Sequence, residues 1–172
     1  MQKFTSANTS INSAKVPAIF KKVDWAKGEV NLDIGGGKFD TATEYLERLG
    51  VKNLVYDPYN RSDAHNGSVL LQVMQMNGVF SCTISNVLNV IAEQDERYKV
   101  LMRAWRYLKE GGTVYVTVYE GDRSGVGRQT GKDQWQNNKP LREYLQEVRE
   151  VFGNAFVSKG VIVAVKEVQH ED

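Results

Sequence analysis

Residues 30–40 read Val30-Asn31-Leu32-Asp33-Ile34-Gly35-Gly36-Gly37-Lys38-Phe39-Asp40. A strand pattern ends in an acid, passes through three glycines and opens into a helical pattern. Few folds join a strand to a helix in this way. The segment predicts a doubly wound, Rossmann-like α/β domain whose ligand cleft lies at the carboxyl ends of the strands. The glycines allow a sharp turn and close approach of a ligand to backbone. The helix behind them offers free N–H groups to an anion. Thr41 and Glu44 have the spacing of a capping box, which predicts the helix start.

The rest of the chain supplies the other units. Residues 51–57 form a second strand pattern ending in Asp57, and residues 41–49 a helix stopped by Gly50. Residues 64–76 fit a helix better than a strand. Only about twenty residues separate the second strand from Val79, too few for helix, strand and helix. The third strand is therefore expected to be missing or vestigial. Residues 95–109 predict a helix ended by Gly111-Gly112, residues 112–119 a strand, and residues 141–152 another helix. Residues 156–158 and 161–168 predict two strands joined through Lys159-Gly160, so a mostly parallel sheet should finish in an antiparallel hairpin. Residues 1–172 make one domain. Residues 1–13, rich in Ser, Thr and Asn, are expected to be mobile or a lid that orders with ligand. A short helix at 16–22 would let Phe20 and Trp25 cover the cofactor side.

Composition narrows the functional classes. Apolar residues make up 41% and charged residues 25%, which suits a globular domain that buries a core. A net charge of +1 gives no general attraction to nucleic acid or membrane, so nucleic-acid binding would need a local patch. Cys82 is the single cysteine and lies in an apolar strand. It is expected to be buried and inert, and no intrachain disulfide or cysteine-rich zinc site is possible. The two histidines lack metal-ligand spacing, and no metal is expected. No spanning segment or signal peptide is evident, and the cytoplasm is the default location.

Two cofactor readings compete at the glycines. A dinucleotide site wants a small residue where Asp40 stands and an apolar one where Asp33 stands. An acid at Asp33 suits a cationic ligand instead, and S-adenosylmethionine (SAM) carries both an ammonium and a sulfonium. Asp57 lies about twenty residues further on, the spacing at which an acid reaches ribose hydroxyls. Leu32-Asp33-Ile34-Gly35-Gly36-Gly37, then Asp57, then Ser85-Asn86-Val87-Leu88-Asn89 resemble the SAM-binding motifs of class I methyltransferases across residues 28–168. The stretches 57–66 and 119–125 resemble those of small bacterial and mobile-element methyltransferases. The Val-Leu-Asn-Val-Ile run resembles methyltransferases associated with DNA-modification systems.

The resemblance implies methyl transfer from SAM to an acceptor it does not identify. Asp33 and Gly35, Gly36 and Gly37 would hold the methionine portion, and Asp57 with Pro58 the ribose. Asn86 would lie near the transferred methyl as the candidate catalytic residue, with Asn89 a weaker candidate for the cleft. Amino-methylating DNA enzymes carry Pro-Pro-aromatic after this position, and this chain does not. His65 is a candidate proton acceptor, and His170 is expected to be solvated. Residues 120–139 form a long loop holding Arg128, Lys132, Trp135 and Gln136, the expected acceptor-binding residues. Two alternatives remain open: a SAM-degrading enzyme or SAM sensor, and a nucleic-acid-binding protein with a relict cofactor fold.

Overall fold

The computed structural model describes residues 1–7 and 15–168. Six strands form one sheet. They are β1 (Val30–Ile34), β2 (Lys52–Tyr56), β3 (Val79–Ser85), β4 (Leu108–Thr117), β7 (Phe156–Ser158) and β8 (Val161–Val165). Their order is β2-β1-β3-β4-β8-β7, with the first four parallel and β8 antiparallel to both neighbours. A single helix, α3 (Asp63–Gln75), bridges β2 and β3. The third strand is thus absent, as the short spacing requires, and β2 becomes a sheet edge. The closing hairpin turns through Lys159 and Gly160, both at positive φ, the geometry that matches strand twist.

One face of the sheet packs against α3, α4 (Gln94–Tyr107) and α5 (Leu145–Phe152), with Leu32, Ile84, Leu101, Val114 and Val148 fully buried. The other face meets α1 (Ile19–Lys22) and α2 (Thr41–Arg48) through Ile19, Phe20, Leu46 and Val51. Cys82 is wholly buried in β3, where desolvation pushes its thiol well above the usual range.

Several elements differ from the sequence reading. The helix expected at 16–22 is the single turn α1. Asp40, not Thr41, occupies the cap of α2 and makes no side-chain cap bond, because its carboxylate pairs with Arg61 at 2.7 Å. The helix expected to run to 109 stops at Tyr107, and β4 begins at once. Val79 pairs with Leu108 but Ser81 with Thr113, so Gly111-Gly112 forms a bulge inside the strand rather than a helix stop. Residues 120–139 are not wholly a loop. They contain an antiparallel hairpin of β5 (Arg128–Gly131) and β6 (Gln134–Gln136).

Candidate functional site

The site begins where β1 ends. Gly35 and Gly37 adopt φ of 72° and 77°, and Gly35 N donates to Tyr56 O at 2.7 Å, tying the turn to β2. A Cβ on Gly35 would lie 2.5 Å from Val87, and one on Gly36 2.4 Å from Asp33 Oδ2. The turn therefore closes directly onto the Asp33 carboxylate and onto the loop after β3, and both glycines are sterically required.

Asp33 is 2% exposed. Burial raises its pKa from 3.8 to about 6, with Asp57 adding to the shift and the Thr83 hydrogen bond opposing it. Thr83 Oγ1 donates to Asp33 Oδ1 at 2.9 Å. Asn31 Nδ2 donates to Thr83 Oγ1 and to Asn53 Oδ1, and Asn53 Nδ2 donates to Thr43 on α2. A buried polar chain thus crosses three strands and ends at Asp33.

Asp57 is 4% exposed. Its Oδ1 accepts from Tyr59 N and Asn60 N, and its Oδ2 from Gly37 N and Asn60 Nδ2. These donors occupy the acceptor sites of a carboxylate. Asn66 brackets the Asp57 backbone from α3, and Arg61 Nε donates to Gly37 O. Asp57 therefore welds the glycine turn to the loop after β2.

On the other side, Asn86 follows β3 at φ 56°, a left-handed position that Asn tolerates. Asn86 N donates to Thr117 O, and its half-buried side-chain amide takes no hydrogen bond among the described residues. Asp33, the three glycines, Asp57, Pro58 and Asn86 all line one cavity of about 330 Å³. Phe20 adds an apolar wall and is itself backed by Trp25, which stacks on it.

The acceptor candidates stand apart from that cavity's lining. Arg128 is exposed and 3.9 Å from Asp122, and Lys132 is exposed at the hairpin tip. Gln136 is buried, accepting from Asn89 Nδ2 and donating to Tyr119 O. Trp135 stacks on Phe4 at 5.5 Å, and its indole donates to Asn137 Oδ1. Asn89 turns away from the cleft to meet Gln136, so its weaker claim on the cleft is not met. His65 Nε2 lies 2.8 Å from Val55 O, on the sheet edge, and does not line the cavity. Tyr56 O is used by Gly35, so the adjacent Val55 carbonyl faces the open side of β2. The ring covers backbone that the missing strand leaves unpaired. His170 lies outside the described residues, as do residues 8–14 of the N-terminal segment.

Two groups escaped the sequence reading, and a third was expected only as mobile or as a lid that orders with ligand. Residues 1–7 belong to that segment and run over the cavity as a strap. Ser6 N donates to Asp133 O, Ser6 Oγ donates to Val90 O, and Trp135 N donates to Ser6 Oγ. Thr5 also bonds Asp133, and Tyr59 Oη donates to Gln2 Oε1 at 3.1 Å. Gln2, Thr5 and Ser6 thereby enter the lining. Asn137 Nδ2 holds the Leu88 and Ile91 carbonyls and anchors the hairpin beneath the strap. On α4, Glu96, Lys99, Val100 and Arg103 face the cavity. Their 0, 3, 4, 7 spacing is a helix face that was legible in the sequence.

Among the described residues no group of three or more His, Cys, Asp or Glu is placed to hold a metal, and no helix is long and apolar enough to cross a membrane. No protein-family model matches the chain, and no curated protein matches it. Solved structures do. One is the Burkholderia thailandensis 1,6-didemethyltoxoflavin-N1-methyltransferase, bound to 1,6-didemethyltoxoflavin and S-adenosylhomocysteine (SAH). Identity is 19% and TM-score 0.59, over 83% of this chain and 72% of that one. PigF with SAH matches at 16% identity and TM-score 0.60, over 87% of this chain and 54% of PigF. A putative methyltransferase in complex with the Haloferax volcanii Trm112 activator matches at 12% and TM-score 0.57, over 88% of both chains. This chain thus spans about half the length of PigF and nearly all of that last relative. With the β1–glycine–α2 unit, the parallel sheet and the antiparallel end hairpin in place, the chain has the fold of the class I SAM-dependent methyltransferases.

Proposed function

We propose that this protein binds SAM in the cavity above β1 and transfers its methyl group by direct displacement to an acceptor enclosed beneath the strap. The carrying observation is the placement of Asp33, the glycine turn, Asp57 and Asn86 around one cavity. The residues fit the cofactor: a buried carboxylate suits a cationic amino-acid end, and the glycine turn admits no side chain that would obstruct it. Bound SAM supplies a sulfonium leaving group, so the protein's task is to bind, align and exclude water.

Asp33 pairs with the ammonium, held in orientation by Thr83 and Asn31. Gly35, Gly36 and Gly37 seat the methionine portion against backbone. Asp57 and Pro58 take the ribose, with Asn60 Nδ2 as the side-chain donor that gives way to the hydroxyls. Asn86, whose amide has no partner among the described residues, faces the reacting atoms and orients the acceptor. Phe20 and the strap residues Thr5 and Ser6 close the acceptor side. Trp135 and Gln136 act on the acceptor by holding the strap and hairpin in place. Arg128 and Lys132 contact only an acceptor that projects past the strap. A cavity partly covered by the strap favours a small-molecule acceptor over nucleic acid.

Thermal melts and calorimetry test the cofactor. SAM and SAH should raise the melting temperature, and NAD should not. Tight NAD binding without SAM binding refutes the reading. SAM bearing a labelled methyl, incubated separately with small-molecule, nucleic-acid and protein fractions, then reports the acceptor class. The fold also houses a [4+2]-cyclase, SpnF, matched at TM-score 0.51 and 14% identity. Bound SAM with no label in any fraction would therefore favour a non-methylating role.

A further inference from the structure

The charged face of α4 lines the cavity and has no task in the methyltransferase reading. Helix α4 buries Arg97, Leu101 and Ala104 on its core side and turns Glu96, Lys99, Val100 and Arg103 to the cavity. Lys99 and the Met1 ammonium both pair with Glu96, at 2.7 and 3.0 Å, and together hold its carboxyl below its usual range. Arg103 has no carboxylate partner among the described residues. It is half-buried, and its hydrogen bond goes from Nη1 to Tyr56 Oη at 2.6 Å. Its guanidinium carbon lies 4.5 Å from the centre of the Tyr56 ring. Four of its five N–H groups therefore remain for a ligand. A partly desolvated cation without counter-charge is unfavourable unless it serves one.

Position narrows what that ligand group is. Arg103 belongs to the helix after β3, yet it meets Tyr56 at the end of β2, with β1 lying between β3 and β2. It thus reaches past β1 to the residue beside Asp57, and Arg103 and Tyr56 both line the cavity. This step rests on the methyltransferase reading, in which Asp57 holds the ribose and Asp33 the ammonium. The only anion of SAM, its α-carboxylate, is bonded to the carbon that bears the ammonium and so lies at the Asp33 end. The group joined to the ribose is the purine. A planar guanidinium can cover a purine face and donate to its ring nitrogens. No strand lies beyond β2 to supply a wall there.

We infer that Arg103, set by Tyr56, recognises the purine base of the cofactor from α4.

Calorimetry of SAH and of adenosine against the full chain tests this, using Arg103→Met, Arg103→Lys and Asp33→Asn, with melts checking that each variant folds. Arg103→Met should weaken SAH and adenosine by a similar factor, about 10- to 100-fold. Arg103→Lys should recover only part of that loss, since an ammonium lacks the planar fork. Asp33→Asn should weaken SAH but not adenosine, which lacks the amino-acid end. If wild-type protein binds no SAH, the methyltransferase reading itself fails. If wild type binds SAH and Arg103→Met binds both ligands equally well, that reading stands and the base assignment is overturned. Loss of SAH but not adenosine in Arg103→Met would move Arg103 to the carboxylate end and also overturn it. Full recovery by lysine would make charge alone the requirement, against planar recognition.

Discussion

Asp33→Asn should make the protein more stable and its cofactor site worse. The carboxylate is buried, and burial sets its pKa at about 6 against an ordinary 3.8. The folded state therefore holds a proton between about pH 4 and 6 that the unfolded state has lost. Stability falls as pH rises through that window and stays lower above it. An ionised Asp33 costs the folded state about 3 kcal/mol at pH 7.5. Asparagine keeps an acceptor for Thr83 and carries no charge. The variant should gain up to about 3 kcal/mol at pH 7.5, or roughly 6–12 °C in melting temperature. At pH 4, where wild-type Asp33 is protonated, the gain should vanish.

The ligand reverses the sign. An ammonium beside Asp33 offsets the desolvation, so SAH binding to wild type should weaken about tenfold per pH unit below 6. The variant should bind SAH at least about tenfold more weakly at pH 7.5, with no such pH slope. Melts from pH 4 to 8 and calorimetry at three pH values measure both effects. Equal stability of the two proteins at pH 7.5, or a stability difference independent of pH, would refute the buried ionised carboxylate. Unchanged SAH affinity would remove Asp33 from the cofactor site.

Asp57→Ala should weaken SAH at least about tenfold and also cost about 2 kcal/mol or more of stability, since Gly37 N, Tyr59 N and Asn60 N lose a charged acceptor; denaturant melts with unchanged midpoints would contradict the second part. Ala at both Arg128 and Lys132 should leave SAH affinity within about twofold, since neither lines the cavity, and should lower turnover only of an acceptor that reaches beyond the strap. Trp135→Ala should speed SAH dissociation in stopped-flow traces, because Phe4 loses its stacking partner; an unchanged rate at a lowered melting temperature would confine Trp135 to stability. His65→Ala should leave SAH affinity unchanged, because the ring meets the sheet edge; a lost affinity would return it to the cleft.

The parts of the site made by local chain geometry were legible in the sequence. A strand, an acid and three glycines dictate a turn, and the count of residues between Asp57 and Val79 dictates a missing strand, because length is a hard constraint. Gly111-Gly112 misled for a related reason: glycine ends helices and also permits bulges, and only pairing with β3 decides between them. Contacts between distant segments left no local signal. Nothing in the Ser- and Thr-rich N-terminus marks Ser6 as the residue that joins Val90 and Asp133, and nothing in residues 120–139 says that Gln136 and Asn137 face inward. Asn31, Asn53 and Thr83 look like surface residues in three separate strands. Pairing places Asn31 opposite both Asn53 and Ser81, and brings Thr83 beside Asp33. That register turns scattered polar residues into the support of one carboxylate, which is why Asp33 could be picked from the sequence while the residues that hold it could not.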